Sequence, residues 1–578
     1  MERARRSPLA RIVPAGDAAL LVRFGSRPGP GATRRVLSLV AALDTVAHPA
    51  VLDVIPAYAS VLVRYNPLAV DAASMEVMLR AAVHQPDSGR RPRGRLVRIP
   101  VRYGGRDGPD LEDVAQQLGM SVAEVIARHT AASYRVSFLG FLAGFPYLSG
   151  LPRALAMPRL DTPRTHVPGG SVAIAERQAG IYPVASPGGW RILGRTTTPL
   201  FDADREPPSL LHPGDRVRFH ADETQDDTRT ATVTRTSARR SPTESAGVPW
   251  LRARAPGLLT TVQDSGRFGY ARYGVTTAGA ADPDALEVGS SMLGNEANAA
   301  ALEVTGGDAS FQMLAPCVVA ITGAIGSVRV NDRPVDASET LALAAGDVLE
   351  IGPLLWGMRV YLSVAGGIEV PPVMGSRATD TRASLGGMEG RPLRMDDMLR
   401  RGEAAHQVPG RTLPGALRRP GLKHGAWTVR ILPGVHVAMD PAATIALCQA
   451  SFAVDARSDR VGVRLRRLDG PCLEGGQVLS EGIPRGAVQL PPDGEPVLLL
   501  ADAQATGGYR VPAVVVSADL WKIGQLRPGD TVRFQRVAPV EAIHALRRRA
   551  QQLAQVRHQP FPGALLGGFT EWSDERDG

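Results

Sequence analysis

Short runs of alternating hydrophobic and polar residues make up most of the chain, and glycine or proline separates one run from the next. LVRIPVRYGG at 96–105 and LLHPGDRVRF at 210–219 show the two-residue period of β-strands. The longer period of amphipathic helices is confined to fewer stretches and predicts helices near 33–46, 68–84 and 543–556. The pattern therefore predicts a mainly β protein with an α+β unit at its N-terminus.

The first 90 residues predict that small α/β unit. AALLVRFG at 18–25 predicts a strand before a glycine turn, and 51–67 contains two further strands. Residues 110–134 then predict two short helices. Ser121 and Glu124 have the spacing of a capping box, which favours the start of the second helix there.

One short sequence, L-x-P-G-D-x-V-R-F, occurs at 211–219 and again at 526–534, and AAGDVLEIG at 344–352 is a weaker third copy. Pro-Gly-Asp before an alternating strand is a common turn, so a single copy would mean little. Two near-identical copies, each near the end of a β-rich region, predict duplicated β-barrel-like units.

The run between 221 and 250 has few large apolar residues and predicts a linker between two modules. The length of 578 residues suggests several structural units. We predict the following segments: a small α/β domain at 1–92, a β-barrel at 93–220, the linker at 221–250, two β-barrel subdomains at 251–400 and 401–545, and a tail at 546–578.

The net charge of +9 suggests a nucleic-acid partner, but its distribution does not. Lys423 and Lys522 are the only lysines, and the arginines are scattered among 57 acidic residues without basic clusters that alternate with aromatics. No stretch is long and apolar enough for a membrane span, and the basic N-terminus lacks the apolar core of a secretory signal. We expect a cytoplasmic protein that binds neither nucleic acid nor membrane.

The cysteines Cys317, Cys448 and Cys472 are odd in number and show no paired spacing, so a disulfide framework is not expected. We predict that they are buried structural thiols.

Several catalytic motifs are absent: a Gly-Lys-Ser/Thr phosphate loop, a G-x-S-x-G turn and an H-E-x-x-H helix. With no Cys/His cluster, we expect no metal site. The pair Ser290-Ser291 lies on a predicted helix, and we assign it to packing.

Five dense loops remain as places for chemistry. The first, FLGFLAGFPYLSGLP at 138–152, predicts a tight apolar turn beside a pocket. The second, 158–196, is rich in Gly and Pro, whose backbone N–H groups can bind anions. Its candidate residues are Arg164, His166, Ser171, Ser186, Gly188, Gly189 and Arg195. Arginine favours carboxylate or phosphate, and His166 is a candidate acid or base.

The other three loops are 261–285, 374–391 and 479–510. Their candidate binding residues are Gln263, Arg267, Asp282, Arg377, Arg382, Gln504, Thr506 and Tyr509. Their candidate catalytic carboxylates are Asp264, Glu481 and Asp502, because carboxylates near amides can polarise water or a substrate amide. A network that only stabilises turns is the alternative for each loop.

Sequence stretches in and around these loops resemble two known protein families. GFLAGFPYL, PRLDTPRTHVPGGSVAIA and GIYPVASPGGWRILGRT, within 138–202, resemble the allophanate hydrolase subunit 1 family, also described as the kinase-inhibitor-type subunit of bacterial 5-oxoprolinase. LLTTVQDSGRFGY, GVTTAGAADPDALEVGSSMLGN and LSEGIPRGAVQLPPDGEPVLLLADAQATGGY, within 257–534, resemble the allophanate hydrolase subunit 2 family, the biotin-dependent carboxyltransferase-like 5-oxoprolinase subunit. The resemblance indicates two usually separate subunits joined in one chain.

The resemblance implies cyclophilin-like β-barrels, two of them in the second module. It also implies a component of an ATP-dependent 5-oxoprolinase, which converts the lactam 5-oxoproline, ATP and water to glutamate, ADP and phosphate together with a separate third subunit. ATP would come with Mg²⁺. No covalent biotin is expected, because neither lysine lies in a Met-Lys-Met site. Homo-oligomerisation stays open.

Two other functions fit the same families. One is a regulatory protein that binds and inhibits a sensor histidine kinase, and the other is a carboxyltransferase-like component acting on urea or a related amide.

The sequence departs from the usual family pattern at three places: Ala143 replaces a frequent Pro, Ala505 replaces a Thr, and Asp396 stands where a Gly-Asp turn is more usual. Ala505 puts the details of the 502–509 loop in doubt.

Overall fold

The computed structural model describes residues 10–85, 94–222, 247–404, 408–413, 417 and 425–559. Most of the predicted linker lies outside these ranges, and so does much of the predicted tail. The boundaries of the six predicted segments therefore stay predictions. In the described part of the chain, β-strands predominate, as the pattern predicts. No helix there is long and apolar enough to cross a membrane.

The N-terminal unit is a four-stranded antiparallel sheet with two helices on one face. Its elements are β1 (Arg11–Pro14), β2 (Ala19–Arg23), α1 (Pro30–Val46), β3 (Val51–Pro56), β4 (Ser60–Tyr65) and α2 (Ala72–His84). The strand order is β1-β2-β4-β3. Val36 and Leu39 of α1 and Leu79 of α2 are buried against this sheet, which explains the helical period in the sequence. The predicted α/β unit is confirmed.

A closed barrel follows. Its elements are β5 (Leu96–Tyr103), α3 (Leu111–Gln117), α4 (Val122–Ala131), β6 (Tyr134–Leu139), β7 (Pro146–Ser149), β8 (Arg164–Val167), β9 (Ser171–Ala175), β10 (Gln178–Ile181), β11 (Ser186–Gly188), β12 (Arg191–Arg195) and β13 (Arg216–Ala221). Seven strands close in the order β10-β7-β6-β13-β5-β12-β9, while β8 and β11 form a separate ribbon. Ser121 and Glu124 make the predicted capping box on α4.

The next part of the second module is a ten-stranded sheet with one helix. Its elements are β14 (Val248–Ala255), β15 (Leu259–Gln263), α5 (Pro283–Met292), β16 (Ala301–Thr305), β17 (Ala309–Met313), β18 (Cys317–Val330), β19 (Arg333–Pro334), β20 (Leu341–Leu343), β21 (Val348–Val364), β22 (Ile368–Glu369) and β23 (Met398–Arg401). The main path is β15-β16-β21-β17-β14-β23-β22, and the long strand β18 pairs with β21.

A second seven-stranded barrel completes the chain. Its elements are β24 (Ala426–Pro433), α6 (Pro441–Gln449), β25 (Ser451–Val454), β26 (Gly462–Asp469), β27 (Gln477–Gly482), β28 (Ala487–Leu490), β29 (Val497–Leu499), β30 (Thr506–Val515), α7 (Leu520–Gln525), β31 (Thr531–Arg536) and α8 (Pro539–His558). The order β24-β31-β25-β26-β29-β28-β30 closes because β30 also pairs with β24, and β27 lies outside this ring.

The repeated Pro-Gly-Asp sequence closes both barrels. It leads into β13, which pairs in parallel with β5, and into β31, which pairs in parallel with β24. When the seven strands of each barrel are numbered from first to last along the chain, the strands with the same numbers are neighbours in both barrels. In each turn the aspartate accepts a backbone N–H: Asp215 from His212 at 3.0 Å and Asp530 from Arg527 at 3.1 Å. The predicted duplication is confirmed.

The weak third copy keeps only the turn. Asp347 accepts the backbone N–H of Ala344 at 2.7 Å, but β21, which follows, has antiparallel partners alone. A Pro-Gly-Asp-like turn therefore does not by itself specify the closing strand of a barrel.

The cysteine prediction is wrong at one position. Cys317 is buried and Cys448 is partly buried, but Cys472 is exposed. The Cys472 Sγ atom accepts a hydrogen bond from Arg467 Nη2 at 3.2 Å. Cys472 follows Gly470 and Pro471 in a turn after β26, and such turns lie at the surface even when their sequence is not charged.

Candidate functional site at the junction of the two modules

The first barrel contacts the second module through the loop after β6. Leu139 forms an isolated parallel bridge with Tyr273, and the Gly144 N–H donates to the Tyr273 carbonyl at 2.8 Å. At Gly140, an added Cβ would lie 2.2 Å from Thr506 Oγ1, so glycine is required for this close approach. The junction therefore joins the first, third and fifth predicted loops.

The N-terminal unit contacts the second barrel directly. Leu21 and Leu62 share one apolar cluster with Ile483 and Val514. The Arg23 guanidinium donates to both Glu481 carboxylate oxygens, at 2.7 and 2.6 Å. A shared core and a bidentate ion pair are typical of a fixed interface.

A small cavity, which we call the junction cavity, lies between the first barrel and the second module. Phe141 and Ala143 line one side, and Thr276, Asp380 and Arg382 line the other. Thr276 Oγ1 donates to Asp380 Oδ2 at 2.6 Å, and Arg382 Nη1 is buried without a hydrogen-bond partner among the described residues. Phe141 has a φ of 67°, a strained value for a bulky residue and one that clusters at functional sites.

A second cavity, which we call the arginine cleft, lies between the N-terminal unit and the second module. Its polar lining residues are Arg64, Thr277, Arg485 and Gln504. The rest of its lining is apolar and consists of Ile55, Ile483, Pro484, Leu500 and the alanines at 501, 503 and 505. The cleft thus combines two cations with an apolar wall.

The third and fourth predicted loops form one hydrogen-bonded unit. Asp264 is fully buried and accepts hydrogen bonds from Ser376 Oγ at 2.7 Å and from the backbone N–H of Arg377 at 2.6 Å. Arg267 donates to the carbonyls of Val373 and Ala378, both at 2.9 Å. Burial lowers the pKa of the Arg267 guanidinium, although nearby carboxylates partly offset this effect.

Three further candidates belong to the same unit. Gln263 is buried, and its Nε2 atom donates to the Thr379 carbonyl at 3.1 Å. The Arg377 side chain pairs with both oxygens of Glu369, at 2.7 and 2.9 Å. Arg382, as described above, lines the junction cavity.

A buried ionic network joins the two parts of the second module. Arg460 contacts Asp502 through two hydrogen bonds of 2.9 Å and also donates to Glu303. Glu303 accepts further hydrogen bonds from Tyr361 Oη at 2.6 Å and from the Ala281 N–H at 2.8 Å. Burial alone would raise the pKa of Glu303, but the nearby arginines hold it below its ordinary value.

The predicted catalytic carboxylates of the fifth loop are both held by arginine. Burial raises the pKa of Asp502, and its contact with Arg460 offsets part of this rise. For Glu481, Arg23 and His436 outweigh burial, so its pKa is lowered. His436 Nδ1 accepts the Val511 N–H at 3.0 Å, which leaves Nε2 to donate to Glu481 at 3.2 Å.

The remaining candidates of the second module differ in position. Gln504 lines the arginine cleft, and buried Thr506 faces Gly140. Tyr509 pairs with Gln477 on the neighbouring strand β27. Asp282 caps α5 and accepts from Gln525 Nε2 at 2.7 Å, so it joins α5 to α7.

The candidates of the second loop line neither cavity. They lie on the first barrel and on the ribbon of β8 and β11. Arg164 makes a bidentate ion pair with Asp110, and Arg195 donates to the Gly169 carbonyl at 2.8 Å. His166 is exposed.

The other four residues of that loop lie in β9 and β11 or directly after β11. Ser171 Oγ donates to the Pro168 carbonyl at 2.7 Å, and Ser186 is buried at the start of β11. Gly188 packs against Tyr182, and the Gly189 carbonyl accepts the Leu160 N–H at 2.8 Å. The roles of the second loop therefore stay predictions, separate from the junction.

Sequence reasoning missed the residues that connect the loops. They are Arg64, Thr276, Thr277, Glu303, Asp380, Arg460 and Arg485. Glu303 offered one signal, because a carboxylate inside the apolar strand ALEVT needs a buried partner. Arg460 and Arg485 offered none, since arginine is common throughout the chain. Among the described residues, no group of three or more His, Cys, Asp or Glu side chains could hold a metal ion.

Comparison with known families identifies both halves. Residues 10–211 match the carboxyltransferase domain, subdomains C and D, and residues 273–536 match the carboxyltransferase domain, subdomains A and B. The crystal structure of TTHA0988 has 36% sequence identity and a TM-score of 0.77, and the match covers 91% of this chain and 100% of that chain. The fold over about nine-tenths of the chain, which includes both modules, therefore has a solved counterpart.

Named relatives match each half. The 5-oxoprolinase subunit designated C from Escherichia coli (strain K12) is 36% identical over 51% of this chain and 93% of its own length. The 5-oxoprolinase subunit designated B from Bacillus subtilis (strain 168) is 38% identical over 35% of this chain and 89% of its own length. Urea amidolyase of Lachancea kluyveri is 34% identical over 48% of this chain but only 16% of its own length. The chain belongs to the families of the 5-oxoprolinase subunits designated B and C, joined in one polypeptide.

Proposed function

We propose that this chain is the fused B–C component of a cytoplasmic, ATP-dependent 5-oxoprolinase that acts with a separate third subunit. The observation that carries the proposal is the match of each half to a named 5-oxoprolinase subunit over about nine-tenths of that subunit. The convergence of four predicted loops at the junction supports a site that needs both modules.

The proposed reaction opens the lactam ring of 5-oxoproline to give glutamate. A lactam amide is stable, so ATP, with Mg²⁺, would activate its oxygen before water attacks. The negative charge that develops on that oxygen requires fixed donors in a site that excludes bulk water. Arg382, with a buried Nη1 atom that lacks a partner among the described residues, is placed at the junction cavity to supply such a donor.

Carboxylates at the junction have two different proposed roles. Asp380 lines the junction cavity and accepts the Thr276 hydroxyl, which supports its proposal as the general base there. Asp264, Glu481 and Asp502 accept hydrogen bonds from serine, arginine or backbone groups, which favours the positioning of loops. Direct steering of water by these three residues stays part of the proposal.

Turnover with purified proteins tests this function. The chain together with the third subunit should release glutamate and phosphate from 5-oxoproline and ATP, whereas either protein alone should give much less. Failure to release glutamate from the reconstituted complex would contradict the proposal.

The match to urea amidolyase and to carboxyltransferase domains favours a second candidate, a carboxyl transfer to urea or a related amide. That chemistry needs carboxybiotin, which a separate protein would have to carry. Urea-dependent loss of carboxyl groups from a carboxybiotin carrier would support this candidate, and its absence alongside 5-oxoproline turnover would exclude it.

A further inference from the structure

The two arginines of the arginine cleft differ in how their charge is balanced. Arg64 Nη1 donates to Asp53 Oδ2 at 3.0 Å and to Thr277 Oγ1 at 2.8 Å, so a carboxylate faces it. Arg485 Nη2 donates only to two backbone carbonyls, Ala280 at 2.9 Å and Ala281 at 2.7 Å. Among the described residues, Arg485 makes no ion pair, and its Nε atom is buried without a partner.

The surroundings of Arg485 make this imbalance unfavourable. Burial, together with the positive charges of Arg460 and Arg64, lowers its pKa to about 10, although Tyr361 and Glu303 offset part of this effect. A partly buried cation that makes no ion pair is costly, and a bound anion would reduce that cost. The lining of the cleft includes no acidic residue that could serve as this counterion.

The rest of the cleft restricts which anion fits. Ile55, Ile483 and Leu500 form an apolar wall, while the Gln504 amide can both donate and accept hydrogen bonds. An anion that also carries an apolar ring and an amide would use all three features.

We propose that the arginine cleft binds the carboxylate of a small cyclic amide, with Arg485 as its principal counterion. The inference rests on the proposed 5-oxoprolinase function and names the part of the molecule that recognises the substrate. The cleft contains residues from the N-terminal unit and from the second module, so substrate recognition requires both halves of the fusion. The ring would lie against the apolar wall, and Gln504 would contact the lactam amide.

Binding to the full-length chain, alone and with the third subunit, tests this inference by calorimetry. 5-Oxoproline should bind, whereas 2-pyrrolidinone, which has the same ring without the carboxylate, should bind at least about ten-fold more weakly. Inorganic phosphate serves as the competing anion. Phosphate that binds more tightly than 5-oxoproline at this cleft would overturn the assignment to a carboxylate.

Two variants separate charge from folding. Arg485→Gln should weaken 5-oxoproline binding about ten- to hundred-fold, because a charge-assisted contact is lost. Gln504→Glu keeps the volume of the side chain but adds a negative charge, so it should weaken binding similarly even if Arg485→Gln fails to fold. Arg457→Gln is the matched control, since Arg457 is exposed and pairs with nearby Asp455.

The outcomes distinguish the two proposals. Turnover of 5-oxoproline with an unchanged KM in both cleft variants would overturn the cleft assignment and leave the proposed function intact. Absence of 5-oxoproline binding to the wild-type complex would overturn the cleft assignment as well. Turnover in the wild type with a KM raised at least about ten-fold in both variants is the expected result.

Discussion

At the scale of single residues, charge is balanced by partners that are far apart in the sequence. Arg460 joins Glu303 and Asp502, and its side chain is 6% exposed. Removing one member of a buried ionic group leaves the others without compensation, which is more harmful than replacing all of them together. The second module therefore depends on Arg460 more than on any exposed arginine.

Arg460→Met should lower the free energy of unfolding by roughly 3–5 kcal/mol, because buried Asp502 would lose its ion-pair partner and Glu303 would keep only the longer contact with Arg359. Arg457→Gln, at an exposed ion pair, should change it much less. Urea unfolding measures both. The triple change of Arg460→Met, Glu303→Gln and Asp502→Asn should recover part of the loss, and equal effects of the two single variants would contradict the account.

The contact between Gly140 and Thr506 gives a second prediction at this scale. Gly140→Ala should destabilise the junction, since the new methyl group would lie 2.2 Å from Thr506 Oγ1. Adding Thr506→Ala removes that oxygen, so the double variant should be more stable than Gly140→Ala alone. Thermal unfolding of the single variants and the double variant measures this coupling, and strictly additive effects would count against the close contact.

At the scale of elements, the ion pair between β2 and β27 fixes the N-terminal unit on the second barrel. Because the pKa of Glu481 is lowered in the folded chain, its ionised form stabilises the fold above the ordinary glutamate value of 4.5. That contribution is lost as the pH falls below this value. The pH dependence of stability therefore reports on this interface.

Glu481→Gln should lose about 3 kcal/mol of stability at neutral pH, because Arg23 and His436 keep no carboxylate partner. The difference from the wild type should shrink as the pH falls from 4.5 through the lowered pKa of Glu481, because the folded wild-type carboxylate is then protonated as well. Glu296→Gln is the control, since Glu296 is exposed. A difference that is independent of pH would show that packing, and not charge, explains the loss.

Many of the strands, helices and turns could be predicted from the sequence. Two-residue periodicity, the capping box of Ser121 and the Pro-Gly-Asp repeat each depend on neighbours in the chain, and each is confirmed. The site was harder to predict. Arg64, Arg485 and Asp380 reach their cavities only because the modules meet, and no local pattern encodes a contact between residues hundreds of positions apart.

At the scale of the whole molecule, the two modules form one unit through contacts that do not involve the linker. Asp53 accepts the Gly269 N–H at 2.8 Å, and Arg272 pairs with Asp44 in a bidentate contact. The Asp17 carboxylate accepts the Ser517 N–H and hydroxyl. These contacts, together with the shared apolar cluster, predict that a continuous chain is not needed for association.

A protease site introduced between residues 222 and 247 tests this prediction. After cleavage, the two fragments should elute together in size-exclusion chromatography, and they should keep the turnover of the intact chain. The same cut in an Arg23→Gln, Glu481→Gln background should weaken the association. Separate elution of the wild-type fragments would show that the linker, and not the interface, holds the modules together.

The central claim is that this fusion supplies two subunits of an ATP-driven lactam-opening enzyme. The most direct measurement is the ratio of glutamate to phosphate released from 5-oxoproline and ATP by the intact chain together with the third subunit. We predict one glutamate for each phosphate, with both products requiring both proteins. Phosphate release without glutamate, or glutamate formation that does not require this chain, would contradict the account.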